Sequence, residues 1–168
     1  TIQGEGTLLY RPMEMMIEPL RGLGVTVRDG GGYLPIEVQG PIHGGEITVD
    51  GSVSSQFITG LLLALPLAEQ DTTLHVTKAV STPYIDMTID TARRFGVEIM
   101  HNEGDYSEFY VEGNQELKPV DYTIESDWSA AAFIMVAAAI AGEVTVRNIS
   151  TLSRQADTLV CRALERAG

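Results

Sequence analysis

The sequence is short of cysteine, of positive charge and of long apolar runs, and each shortage excludes something. Cys161 is the one cysteine in 168 residues, so an internal disulfide framework is impossible, and a single thiol suits a reducing cytoplasm. Lysine and arginine number 11 against 23 aspartates and glutamates, a net charge of −12. Nucleic acids and anionic membranes are bound through clustered cations that such a chain lacks. The same field discourages small anions unless a local site overrides it. The longest apolar run is too short and too interrupted to span a bilayer, and no basic-then-apolar signal opens the chain, so a soluble protein is expected. His43, His75 and His101 lie far apart with no partner at ligand spacing, which argues against a metal site.

What remains is ordinary globular material, 44% hydrophobic and 20% charged, enough for a compact body that buries about 70% of its unfolded surface. Three segments look alike: EPLRGLG, DTARRFG and CRALERAG. Each carries apolar residues at helical spacing, as in Met13, Met16, Ile17, Leu20 and Leu23, and each closes on a glycine suited to a helix C′ position. Those glycines, Gly24, Gly96 and Gly168, are 72 residues apart in both steps. After the first two come short strands, VTVRD or VEIMH, then LPIEVQG or SEFYVEG, then EITVDG or DYTIES. A wholly apolar helix follows, SSQFITGLLLALPLA or SAAAFIMVAAAIAG, and then one more strand, TTLHVTKAV or EVTVRNIS. The unit is β-α-β-α-β-β in circular order, an α/β repeat with one amphipathic helix and one buried all round. Stacked copies of such a unit share a core. The repeat places a strand right after Gly168, and Thr1 is no initiator methionine; the chain is read as an internal piece of a longer protein, and uncovered repeat faces give it a route to self-association.

The stretch DGSVSSQFITGLLLALPL sets three serines and a glutamine at the mouth of an apolar helix. A helix start presents unpaired N–H groups and the positive end of its dipole, so Ser54, Ser55 and Gln56 form either a plain cap or a seat for a phosphate or carboxylate. The equivalent starts of the amphipathic helices carry Arg11-Pro12, with proline at the first helical position, and Ser81-Thr82-Pro83-Tyr84. Converging, these would make a rim of arginine, hydroxyls, amide and phenol, suited to a polyhydroxylated anion.

At this point the sequence resembles the enolpyruvylshikimate-phosphate synthase family, through DGSVSSQFITGLLLALPLA, STPYIDMTID followed by FGVEI, and LLYRPM before an amphipathic helix. The likeness runs in order over essentially the whole chain. It implies the enolpyruvyl transferase fold, two lobes of three pseudo-symmetric units each. Residues 1–125 would be part of the first lobe, about one and a half repeat units, and residues 126–168 the start of the second. It implies transfer of the enolpyruvyl group of phosphoenolpyruvate to the 5-hydroxyl of shikimate 3-phosphate, with loss of phosphate and with neither metal nor cofactor, in the shikimate pathway that leads to aromatic amino acids. Ser54, Ser55, Gln56, Ser81 and Tyr84 would contact shikimate 3-phosphate, and Arg11 with Gln56 phosphoenolpyruvate. The family's glycine-serine-lysine motif and its acid/base aspartate have no counterpart here, so no catalytic residue is assigned and the isolated chain is expected to be inactive.

Other residues have competing readings. Asp127 matches an aspartate in the family's E-G-D segment and is either a cleft residue or a helix N-cap. Ser153, Arg154, Gln155 and Asp157 in SRQAD resemble the stretch ahead of a second-lobe helix, where the family is richer in asparagine. Gly30, Gly31 and Gly32 join two strands and read as a hairpin turn rather than a nucleotide loop. Cys161, Trp128 and Met135 read as core residues. Two alternatives stay open: the related UDP-N-acetylglucosamine enolpyruvyl transferase, whose cysteine-bearing loop is not seen in the sequence, and a non-catalytic binding or scaffold domain.

Overall fold

A computed structural model of the chain describes residues 1–102 and 104–168. It divides into two compact units, Thr1–Pro119 and Val120–Gly168. In the first, helix α1 (Glu14–Gly22) leads to the antiparallel strands β1 (Thr26–Asp29) and β2 (Ile36–Gln39). Then follow β3 (Gly45–Asp50), α2 (Ser55–Ala64), β4 (Thr72–Thr77), α3 (Thr82–Arg94), β5 (Met100–His101) and β6 (Glu108–Val111), one whole β-α-β-α-β-β unit in chain order.

The four strands of that unit form a sheet in the order β3-β4-β6-β5. Strands β3 and β4 are parallel, which requires a crossover, and α2 supplies it. The register sets Ile47 beside Leu74 and Leu74 beside Phe109. Strand alternation therefore puts Ile47, Val49, Leu74, Val76, Phe109 and Val111 on one face. There they pack with Ile58, Leu62 and Leu65 from α2 and its following turn, and with Ile85, Ile89 and Ala92 from α3. The opposite face is polar. His75 stands there between Glu46 at 3.0 Å and Glu108 at 3.3 Å.

The glycine spacing has a conformational basis. Gly24 and Gly96 adopt φ of +84° and +83°, which costs a residue without Cβ little. Each ends its helix in a Schellman motif: Gly24 N–H donates to Arg21 O and Val25 N–H to Leu20 O, and Gly96 and Val97 repeat the pattern on Arg93 and Ala92. The triple glycine is a hairpin turn, with Gly31 and Gly32 at positive φ and the Gly32 N–H donating to Asp29 Oδ1 at 2.6 Å.

Several expectations are corrected. Helix α1 begins at Glu14, so Pro12 precedes it rather than opening it, and Arg11 closes a short 3-10 turn, Gly6–Tyr10. The apolar helix α2 is not buried all round: one stripe meets the sheet, and Leu63 is 56% exposed on another face. In the second unit, α4 (Trp128–Ala141) leaves Phe133 81% exposed, and α5 (Leu159–Ala167) buries no residue, so Cys161 is half-buried rather than in a core. Trp128 is buried as expected, while Met135 is half-buried. Residues 121–126 and 143–150 form no ladder. They meet through the Ser126 N–H to Asn148 O bond. No third strand flanks them among the described residues, and an isolated parallel pair is marginal.

Two stability results follow from polar groups in the first unit. The Thr72 hydroxyl is buried without a hydrogen-bond partner among the described residues. Thr72→Val keeps the shape and removes the orphan, so it should stabilise by about 1 kcal/mol in chemical denaturation. Four aspartates accept short bonds, three of them local: Asp29 from Gly32 N–H, Asp50 from Ser52 N–H and Asp105 from Ser107 N–H, while Asp71 accepts from the distant Tyr110 hydroxyl. Those bonds hold each carboxyl below its ordinary value of 3.8. A depressed folded-state value gives stability that is present above the unfolded value and lost as pH falls. The melting temperature should therefore hold above about pH 5 and fall steadily below about pH 4; a flat acid profile would contradict these assignments.

Candidate functional site

The three serines before α2 do three different things. Ser52 donates its N–H to Asp50 Oδ1 at 2.9 Å, and with its hydroxyl holds that carboxyl ionised and the loop turned. Ser54 is the N-cap: its backbone is extended and its Oγ accepts the Gln56 N–H at 3.1 Å. Ser55 opens the helix, is only 6% exposed and lines a cleft. Capping and cleft lining thus fall mainly to different residues, Ser54 making the cap bond and Ser55 making none of its own there.

Helix α3 starts differently. Its N-cap residue, Ser81, has left-handed backbone, φ 53° and ψ 41°, and makes no side-chain cap bond. Left-handed backbone is costly for a residue with a Cβ, and here it leaves the hydroxyl out of the capping role. Ser81 lines the same cleft as Ser55, and so does Tyr84, one turn into the helix.

The cleft, about 500 Å³, lies between α2 and α3 and is bordered at one end by Ser54, Ser55, Gln56, Ser81 and Tyr84. Five residues picked from sequence thus share one hollow. Its remaining wall, Thr59, Leu63, Met87, Thr88 and Thr91, was not anticipated. The signal was available: Tyr84, Thr88 and Thr91 recur at i, i+4 and i+7 on one helix face. The two threonine hydroxyls are turned onto the α3 backbone, Thr88 donating to Tyr84 O at 2.9 Å and Thr91 to Met87 O at 2.7 Å.

Among the described residues none that lines this cleft is charged, in a chain of net charge −12. Neither α2 nor α3 has an acidic residue in its first turn. Two helix N-termini therefore border one hollow with Ser54, Ser55, Ser81 and Tyr84 at its rim, and the positive dipole end of a helix favours negative charge. Gln56 also borders a second, apolar hollow of about 360 Å³ that includes Met15, Met16 and Leu61.

The other candidates lie elsewhere. Arg11 is exposed and does not line the cleft. Asp127 caps α4, its Oδ1 accepting the Ser129 N–H at 2.9 Å. In the second unit sequence reasoning missed the work of Gln155. It is buried, accepts the Trp128 N–H at 2.8 Å, and donates to both Glu125 Oε1 and Ser126 O at 3.0 Å. Ser153 donates to the same Glu125 oxygen at 2.7 Å, and Ser129 to Asp157 at 2.6 Å. SRQAD is thus a lock on the start of α4. Among the described residues no cluster of three metal-ligating side chains occurs, and no helix is long and apolar enough to cross a membrane.

Among solved structures the chain is similar to the EPSP synthase of Acinetobacter baumannii, with a TM-score of 0.64 and 30% identity over 82% of this chain and 30% of that one. The fold is that of the enolpyruvyl transferases. A family model for EPSP synthase (3-phosphoshikimate 1-carboxyvinyltransferase) matches residues 1–168, and the chain belongs to that family. Among curated relatives, the 3-phosphoshikimate 1-carboxyvinyltransferase of Serratia proteamaculans is 42% identical over 99% of this chain and 40% of that protein. The protein of the same name from Methanocorpusculum labreanum is 38% identical over 98% and 39%. The chain therefore spans about 40% of the length of these relatives.

Proposed function

We propose that the cleft between α2 and α3 is the shikimate 3-phosphate side of an enolpyruvyl transferase site. Ser54, Ser55 and Gln56 from one helix start, with Ser81 and Tyr84 from the other, bind the phosphate and ring hydroxyls. Arg11 and Gln56 serve phosphoenolpyruvate, and Asp127 is a cleft residue as well as a helix cap. The lobes are residues 1–125 and 126–168, and the protein works in the cytoplasm. In the reaction the 5-hydroxyl oxygen adds to C2 of phosphoenolpyruvate and gives up its proton while C3 takes a proton and becomes a methyl group. Loss of phosphate from C2 and of one methyl proton from C3 then restores the double bond.

The observation that carries the reading is the meeting of two helix N-termini at a cleft without a charged wall, in a strongly acidic chain. Neutral donors and dipoles orient an anion but cannot neutralise two substrates that bear phosphates and carboxylates. Most of the cationic shell, and the acid/base pair, thus belong to parts of the family's site that this chain does not supply, and the chain alone binds weakly and turns nothing over.

Calorimetric titration tests this. Shikimate 3-phosphate should bind, and shikimate without the phosphate at least about tenfold more weakly, the worth of one charge-assisted contact. Equal affinity for the two would contradict a phosphate seat.

A further inference from the structure

We propose that Gly51 is a positioning residue for this cleft, fixing the distance between the starts of α2 and α3. The inference rests on the reading of the cleft given above. Gly51 is buried at the entry to α2, and its N–H donates to Thr77 O at 2.8 Å, at the end of β4. A Cβ there would stand 3.0 Å from Ile58 Cδ1, 3.0 Å from Val76 Cγ1 and 3.1 Å from Ala79 Cα. These atoms belong to α2, to β4 and to the loop that enters α3. Ile58 and Val76 are packed in the core, and Ala79 Cα is main chain, which no rotamer change can move aside.

The bare Cα of Gly51 is thus where the two loops touch. Residues 51–54 run from that contact to Ser54, Ser55 and Gln56. Residues 78–81 run from it to Ser81 and Tyr84, with Lys78 and Ser81 both left-handed. Adding one methyl group wedges the loops apart by a few tenths of an ångström. Every donor on one side of the cleft then shifts relative to those on the other. A misplacement of 1 Å costs about a hundredfold, so a shift of a few tenths should make Gly51→Ala raise the Kd for shikimate 3-phosphate about four- to tenfold.

The test compares the wild-type chain with Gly51→Ala, Gly51→Ala/Ile58→Val and Ile89→Val by amide NMR, thermal melting and titration with shikimate 3-phosphate. Ile89 lies under α3 in the core and does not border the cleft. In Gly51→Ala the amides of residues 54–56 and of residues 81–84 should both shift. The double variant, which deletes the Ile58 Cδ1, should regain melting temperature yet keep the weakened Kd, because the Ala79 contact persists. Ile89→Val should melt earlier with its Kd within about twofold of wild type. The proposal is overturned if residues 81–84 do not shift in a folded variant, if affinity returns together with stability, if Ile89→Val loses as much affinity, or if neither Gly51 variant folds. Should the wild-type chain bind no shikimate 3-phosphate, the cleft reading fails on that ground, and the positioning claim is decided by the amide shifts alone.

Discussion

Ser55→Ala is expected to weaken shikimate 3-phosphate by about 10- to 100-fold, with the fold intact. A hydrogen bond to a charged partner is worth about 1.5–3 kcal/mol, and each 1.4 kcal/mol is a factor of about ten in Kd. The hydroxyl of Ser55 is almost buried against the cleft, while Ser54 does the capping. Alanine at the first helical position therefore removes the proposed ligand contact without removing a cap. Tyr84→Phe should act in the same direction, since it deletes only the phenol oxygen from a residue that lines the same end. Ser52→Ala is the matched control. Its hydroxyl serves Asp50 rather than the cleft, so it should cost some stability and leave Kd nearly unchanged. If Ser52→Ala and Ser55→Ala have equal effects on binding, the division of labour among the three serines is wrong.

Phe109→Ala is expected to cost about 3–5 kcal/mol, the range for deleting a buried aromatic ring. Phe109 is fully buried, pairs with Leu74 on β4 and lies 5.5 Å from the His101 ring. It ties β6, an inner strand of the sheet, to the face that packs against α2 and α3. Since domains of this size are stable by only about 5–15 kcal/mol, the variant should be partly unfolded near body temperature and should lose binding with it. A thermal scan that differs from wild type by only a degree or two would mean that the sheet, as registered here, is not what carries the helices.

Where the sequence determined local geometry, it was readable. Gly24 and Gly96 were legible because only a residue without Cβ adopts that backbone cheaply, and both close Schellman motifs. The triple glycine was legible as a hairpin turn for the same reason. Ser54 follows from helix capping, and the five residues at the mouth of the cleft follow from equivalent positions in a repeat. What depended on distant partners was not readable. The apolar character of α2 and α4 says that they can be buried on every side, not that a partner is present, and Leu63 and Phe133 stand exposed. DYTIES and EVTVRNIS have strand composition, yet their backbones meet through the Ser126 N–H to Asn148 O bond and form no ladder. Gln155 reads only as part of the stretch ahead of a helix, because nothing local announces a side chain that bonds residues 27–30 positions away. Arg11 was set at a helix start by a proline that in fact lies outside the helix.

The central claim is that two helix starts act as one anion seat, and amide NMR during a titration with shikimate 3-phosphate tests it most directly. The account predicts that the backbone amides of Ser55, Gln56, Thr82 and Tyr84 shift together along one binding curve, with residues of the polar sheet face around His75 unmoved. Shifts confined to α2 alone, or spread over surface lysines and arginines with no response at Thr82 and Tyr84, would contradict it.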